Sequence, residues 1–538
     1  MSRKLAVLSA LVLGAGVFVL EVAAQGPVKE SPYDYAIRNA RIVDGSGNPW
    51  YRGDVYLNGP TIALIDVGHH AYSAKNTIDG KGLILAPGFI DIHTHARRAI
   101  LEIPTAENYA RQGVTTLIEG PDGSSPIPLR AYLEQVQKVK TSVNFGSFIG
   151  QGSIRESVIG PNDRKPTPEE LNRMLELTRQ GMRDGAFGLS TGLFYVPGTF
   201  TPTEEVTALA RVAGEMGGIH ISHMRQEAKD VVKSVDETIA IGENGGLPTQ
   251  VTHHKIIGTG NWGASTTTLA HVAAARARGV DATIDQYPYT ASSTGINALL
   301  PSWAQDGGRE ATLKRLKDPE VRAKIKAIVI DNIKFDRGGG DPKNIQIASA
   351  GFDPTLAGKN LAQITAARGV PVTIENAADT ALDIIEKGGA SAIFHAISED
   401  DLVKILRDPN TMIGSDGEVI HFGVAAPHPR GYGTFVRVLG RYVRELKVIT
   451  LQDAVRKMTS FPAQRLGLFD RGLVRPGMVA DLVLFDENEI ADRATFENPH
   501  QYAVGVKRVL VGGVVIFDGT AMTEARPGRI LKGPAAEW

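Results

Sequence analysis

An alternation along the middle of the chain narrows the fold more than any other feature. Eight short apolar runs recur there: LAPGFIDIHTH, GVTTLIEG, SVNFGSFIG, GAFGLSTG, GGIHISHM, PTQVTHHK, GVDATIDQYPY and TMIGSDG. Between several of them lie amphipathic segments such as PTPEELNRMLELTRQGMRDG, whose Pro-Thr-Pro-Glu-Glu opening suits a helix start. Strands that alternate with helices build parallel βα units. Eight such units predict an α/β fold, a (β/α)8 TIM-like barrel over residues 86–465. The stretch from about 301 to 398 is too long for one connection and carries helices of its own. It is expected to be an insertion, with GGGDPKN as a flexible turn inside it.

The two ends of the chain have a different grain. From Tyr35 to about Ile84, short apolar runs are broken by Gly, Asn and Asp, as in AIRNARIVDGSG and TIALIDVG, and read as strands and tight turns. The pattern returns in GMVADLVLFD and VKRVLVGGVVIFDG. One small β-sandwich domain built from both ends, 33–85 and 474–530, is the economical expectation.

Ahead of it, Arg3 and Lys4 precede an apolar run from Leu5 to Leu20, then Val22-Ala23-Ala24-Gln25. A basic start, a short apolar run and small residues at the exit predict a signal peptide over 1–25, and so a periplasmic or secreted protein. A membrane anchor is the rival, but the run is just short of a usual span.

Composition enters where it excludes. Lys and Arg number 58 against 59 Asp and Glu. The near balance gives no electrostatic case for nucleic acid, or for an anionic membrane once the signal is removed, and suits a small-molecule substrate. A homo-oligomer is left open. There is no cysteine. Disulfides, a thiolate nucleophile and thiolate ligands are thereby ruled out, and any divalent metal must be held by nitrogen and oxygen, with zinc first among the candidates.

The ends of the predicted strands carry the chemistry. His93 and His95 lie two apart, so in a strand both face the same way, toward the barrel mouth where barrel enzymes work. His223 closes GGIHISHM, His253 closes PTQVTHH and Asp416 closes TMIGSDG. A lone histidine at a strand end is more often structural. Four of them with an aspartate, gathered at four predicted strand ends, predict a catalytic metal site that leaves room for water. His220, three residues before His223, should face the opposite way and pack, and His254 should support from behind.

In the stretches PGFIDIHTH, QGVTTLIEG, GLSTGLFYVPGTFTPTEEV, HISHMRQE, VTHHK, YPYTASST, SDG and PHPRGYGTF, the chain resembles the amidohydrolase superfamily, and within it the D-aminoacylase (N-acyl-D-amino-acid deacylase) group. The resemblance covers nearly everything after the signal segment. It implies that His223 and His253 hold a tightly bound metal, His93 and His95 a second and weaker one, with one or two ions in all. Asp416 would be the catalytic carboxylate as well as a ligand. Lys255, Tyr287, Ser293 and Arg430 would bind substrate, Arg430 grasping a free carboxylate as a guanidinium does well.

One turn departs from the group. Its members carry a bridging cysteine in Gly-Asn-Cys-Gly, where this chain has Gly120-Pro121-Asp122-Gly123. Asp122 then stands as an oxygen ligand in place of sulfur, with Glu119 at the strand end as its rival. The Gly188-Leu189-Ser190-Thr191-Gly192 stretch fits the serine-hydrolase pattern, but belongs to the resembling run GLSTGLFYVPG and is not expected to act as a nucleophile.

The expected reaction is hydrolysis of an N-acyl amino acid amide by metal-activated water, with Asp416 as base and then acid. Alternatives are a dipeptidase, or another amide-cleaving enzyme acting on xenobiotics or cyclic amides. A catalytically inactive binding relative is the alternative outside enzymes, and the complete His and Asp set argues against it.

Overall fold

The computed structural model describes residues 33–538, so the predicted signal peptide lies outside the described residues. The middle of the chain contains eight parallel strands: β1 (Phe89–Asp91), β2 (Val114–Glu119), β3 (Asn144–Ser147, continuing as Ile149–Gly150), β4 (Gly188–Gly192), β5 (Ile219–His223), β6 (Thr249–Val251), β7 (Ala282–Gln286) and β8 (Thr411–Ile413). Each pairs in parallel with the next. At Phe148 the third strand changes partner, its first half paired with β2 and its second with β4. A parallel bridge between Thr94 and Gly417 joins the run after β1 to the run after β8, so the order returns on itself. Every residue of these strands is buried, which is why they read as nearly continuous apolar runs rather than alternating ones.

The connecting helices follow their local signals. Thr167 caps helix Pro168–Arg183, its side chain accepting from the Glu170 N–H while Glu170 reaches back to the Thr167 N–H. Met174, Thr178 and Met182, at helical spacing, form its buried face.

The two ends meet in one eight-stranded sheet. Ile84–Pro87 is its hinge, parallel to Tyr33–Ile42 on one side and antiparallel to Leu482–Phe485 on the other. Alternation sorts its two faces. Leu85, Leu482 and Leu484 join Ile37, Val55 and Leu510 in the domain's own core. Ile84, Ala86, Val483 and Phe485 belong to the large cluster shared with the barrel. The last residues leave this sheet. Ile530 bridges Phe145 in parallel, and the Gly528 N–H donates to the Thr141 carbonyl at 2.9 Å. The tail thus lies along β3, where backbone pairing rather than side-chain pattern places it.

The insertion is a compact unit with its own core, including Ile325, Val329, Ile347, Leu382 and Phe394. Helices Pro319–Phe335 and Ile374–Lys387 pack beside an antiparallel sheet in which Ser391–Phe394 lies between Ser292–Gly295 and Ile345–Ser349. Ser292–Gly295 joins this sheet from the chain ahead of residue 301. The polar tetrad Ser-Ser-Thr-Gly carries no strand pattern of its own and becomes a strand only through its partner.

Candidate metal centre

The predicted residues converge just beyond the C-terminal ends of the barrel strands. Strand β1 stops at Asp91, and His93 and His95 stand on the short run that the Thr94 bridge holds in line. Asp122 sits in the turn after β2, His223 ends β5, His253 follows β6 and Asp416 follows β8. Three of these residues, Asp122, His253 and Asp416, have φ of 56°, 35° and 51°, the left-handed region that non-glycine residues seldom occupy. Strain of this kind collects at functional sites.

Two donor groups share one carboxylate. His93, His95, Asp122 and Asp416 form the first, and Asp122, His223 and His253 the second. Asp122 Oδ1 lies 3.5 Å from His93 Nε2, 3.4 Å from His253 Nε2 and 3.7 Å from His223 Nδ1, while Oδ2 is 3.3 Å from His95 Nε2. Asp416 Oδ1 is 3.1 Å from His95 Nε2 and 3.6 Å from His93 Nε2. Glu119 takes no part: its carboxylate accepts the Arg97 backbone N–H at 2.9 Å. Of the two sequence candidates for the bridge, Asp122 stands in both donor groups and Glu119 in neither.

The chemistry of this cluster suits a divalent cation. His93 Nε2 and Asp122 Oδ1 are buried without hydrogen-bond partners, a costly state that coordination removes. Imidazole and carboxylate are the donors zinc takes when thiolate is missing. Burial would raise the Asp122 carboxyl, but the His93 and His253 imidazoles outweigh it and hold it well below the usual carboxylate range. Burial would likewise lower His95, yet Asp122 and Asp416 hold its ring at about 9.

The turn that carries Asp122 is pinned from β4. Ser190 Oγ donates to the Gly120 carbonyl at 2.5 Å and accepts the Gly123 N–H at 3.2 Å. The serine of the hydrolase-like pattern is therefore a buried clamp on the metal turn. Gly192 closes the same contact, since a Cβ there would stand 2.1 Å from the Asp122 carbonyl oxygen.

Around the donors, Arg430 Nη1 lies 2.7 Å from Asp416 Oδ2, off the line of a hydrogen bond, so its N–H is left without an acceptor. The Tyr287 hydroxyl is buried and unpartnered, with the Arg430 guanidinium 4.9 Å and Lys255 Nζ 5.6 Å from the ring centroid. Burial pushes this phenol well up, so it stays a neutral O–H donor. Ser293 lines the cavity from the insertion's first strand. Lys255 also borders the cavity, but its ammonium already meets Glu227 Oε1, His253 Nδ1 and the His253 carbonyl at 2.5, 2.8 and 3.0 Å. A lysine has three protons to donate, and here three acceptors lie within reach of its ammonium. His254 turns away to Thr268 Oγ1 at 2.7 Å, and His220 packs between Thr191 and Thr249.

Sequence reasoning missed four neighbours. Asp285 Oδ1, on β7, accepts the His253 N–H at 2.7 Å and lies 3.5 Å from His93 Nδ1; its place near the end of GVDATIDQYPY was the available signal. Glu227 follows His223 by four residues, in HMRQE. Tyr195 lies with its ring centroid 4.6 Å from that of His223. Arg337, beside the glycines of the insertion, left no signal. A cavity of about 1170 Å³ opens over His95, Asp122, His223, His253 and Asp416. Another of about 230 Å³ lies against Asp416 and Arg430.

Comparisons with known proteins identify the family. The model of the Amidohydrolase family matches residues 76–517. A D-aminoacylase of Alcaligenes xylosoxydans xylosoxydans is 34% identical over 94% of this chain and 99% of its own length. An N-acyl-D-glutamate deacylase of the same organism is also 34% identical, over 94% and 97%. The solved structure of N-acyl-D-glutamate deacylase from Bordetella bronchiseptica, with zinc and a phosphonate mimic of the tetrahedral intermediate, is similar at a TM-score of 0.79 and 33% identity. It covers 93% of this chain, and all of that protein's chain is matched.

Proposed function

We propose, on the premise that the chain belongs to the amidohydrolase family, that it hydrolyses the amide bond of N-acyl amino acids carrying a free carboxylate. The protein is a metal-dependent amide hydrolase of the D-aminoacylase kind. The observation that carries the substrate reading is the Asp416–Arg430 pair, which sets a proton carrier and an anion clamp side by side at the donor cluster.

His223, His253 and Asp122 would hold one zinc, and His93, His95, Asp122 and Asp416 would hold a second where two are bound. A divalent cation held there would lower the pKa of water to about 7 and polarise a carbonyl oxygen. The remaining work falls to side chains. Arg430, its N–H free of other acceptors, binds the substrate carboxylate and fixes the scissile amide next to Asp416. Tyr287 donates its hydroxyl to an oxygen of the substrate. Asp416 takes the proton of the attacking water and returns it to the departing nitrogen, base and acid in turn.

Hydrolysis of a panel of N-acyl amino acids, both enantiomers, after reconstitution with zinc tests this reading. Turnover of free acids well above that of their amides or esters is expected. Equal turnover of carboxylate-blocked analogues would remove the clamp from the account.

The Arg3-Lys4 start, the apolar run Leu5–Leu20 and the small-residue exit support export to the periplasm or beyond. N-terminal sequencing of the protein recovered from expressing cells tests this, a mature start near residue 26 being expected. Among the described residues, no helix is long and apolar enough to cross a membrane.

A further inference from the structure

Behind the second donor group lies a carboxylate that the proposed reaction does not use. Glu227 is fully buried, on the loop between β5 and helix Val231–Gly245. His223 and His253 each present one ring nitrogen to Asp122, and each presents the other to Glu227. His253 Nδ1 lies 3.3 Å from Glu227 Oε1, and His223 Nε2 lies 3.8 Å from Oε2. Each of these oxygens is also matched by a cation, Oε1 by Lys255 at 2.5 Å and Oε2 by Arg337 at 3.3 Å.

A buried carboxylate held by two cations is a fixed object, and its fixed negative charge behind the two rings favours one orientation of each, directly at His223 and partly through Lys255 at His253. The groups behind a metal's histidines commonly carry as much of the affinity as their placement suggests. We infer that Glu227 is the positioning residue for both histidines of the second donor group, one oxygen to each ring. Lys255 and Arg337 hold it in place there. Arg337 belongs to the inserted segment, so the insertion contributes to metal binding through this carboxylate without touching the metal's own donors. Its guanidinium stands 4.3 Å from the centroid of the Phe194 ring, and that stacking fixes its approach.

The inference rests on the metal-dependent reading and is tested separately from it. Wild-type and Glu227→Gln proteins are stripped of metal, and the dissociation constant for zinc is measured by competition with a chromophoric chelator. Glutamine keeps the volume but loses the charge, and half of its terminal group becomes a donor. A 10- to 100-fold weaker zinc site in Glu227→Gln is expected, together with a changed visible spectrum of the cobalt-substituted protein. Equal affinity and an unchanged spectrum overturn the assignment. Wild-type protein that binds no zinc overturns the metal reading itself. If Glu227→Gln does not fold, Arg337→Met carries the test, with a several-fold weaker site expected and unchanged affinity overturning the role of the insertion.

Discussion

Arg430 and Asp416 face each other across 2.7 Å, a guanidinium against a carboxylate, with both side chains buried. The pair keeps the carboxylate ionised: burial would raise it, and Arg430 with the histidines holds it far below its ordinary range. Asp416→Asn removes the proton carrier while keeping the shape. Turnover should fall by ~10²-fold or more, and zinc at His223 and His253 should persist. Near-wild-type kcat with intact metal would take Asp416 out of the proton transfer.

Arg430→Lys keeps a charge but loses the planar fork. KM for an N-acyl amino acid should rise by roughly 10- to 100-fold, the worth of a charged hydrogen bond. KM for the corresponding amide, which has no carboxylate, should hardly change. Steady-state kinetics on the matched pair of substrates decide this.

His223→Ala removes a donor from the group that faces Glu227. Metal content by elemental analysis should fall along with rate. Full occupancy at unchanged affinity would mean that His223 is no ligand.

Asp122 replaces a sulfur of the D-aminoacylase group with oxygen, and hardness should follow. Asp122→Cys should bind Cd²⁺ more tightly relative to Mn²⁺ than wild-type protein does. An unchanged preference in competition dialysis would show that Asp122 is not among the ligands.

His220 offers a prediction about stability. Burial, with the Arg465 guanidinium adding to it, pushes the ring down to about 3, so it stays neutral in the fold while its unfolded counterpart protonates near 6.5. The unfolded chain therefore binds more protons as pH falls, and the stability present above pH 6.5 is lost progressively toward pH 3. Between pH 7 and 5 the metal-free wild type should lose about 2 kcal/mol more than metal-free His220→Gln. Denaturant unfolding at the two pH values measures the difference, and parallel losses would show that His220 does not titrate this way.

The barrel was legible because all eight strands are buried on both faces and each advertises itself as an apolar run. The donors were legible because strand ends concentrate chemistry at one rim, so His93, His223, His253 and Asp416 announced themselves by position. Asp122 was preferred by its place in the turn, while the backbone contact of its rival Glu119 is a partner no pattern reveals. Contacts between distant segments stayed hidden. Arg337 meets Glu227 across 110 residues, and neither carries a periodic signal. Lys255 stands at the cavity wall, as expected, and its contacts with Glu227 and His253 are three-dimensional partners that sequence spacing does not encode.

The hinge strand Ile84–Pro87 has a consequence for the order of events during synthesis. Its partner Leu482–Phe485 leaves the ribosome only after the whole barrel has been made. Until then the early strands present an unsatisfied edge, and such non-local pairings form slowly and expose the chain to misassembly. Completing the small sheet is thus the step that ties the earliest and latest parts of the chain together. A C-terminal truncation that removes Leu482–Phe485 should therefore unseat the segment leading directly into His93, although it lies hundreds of residues away along the chain.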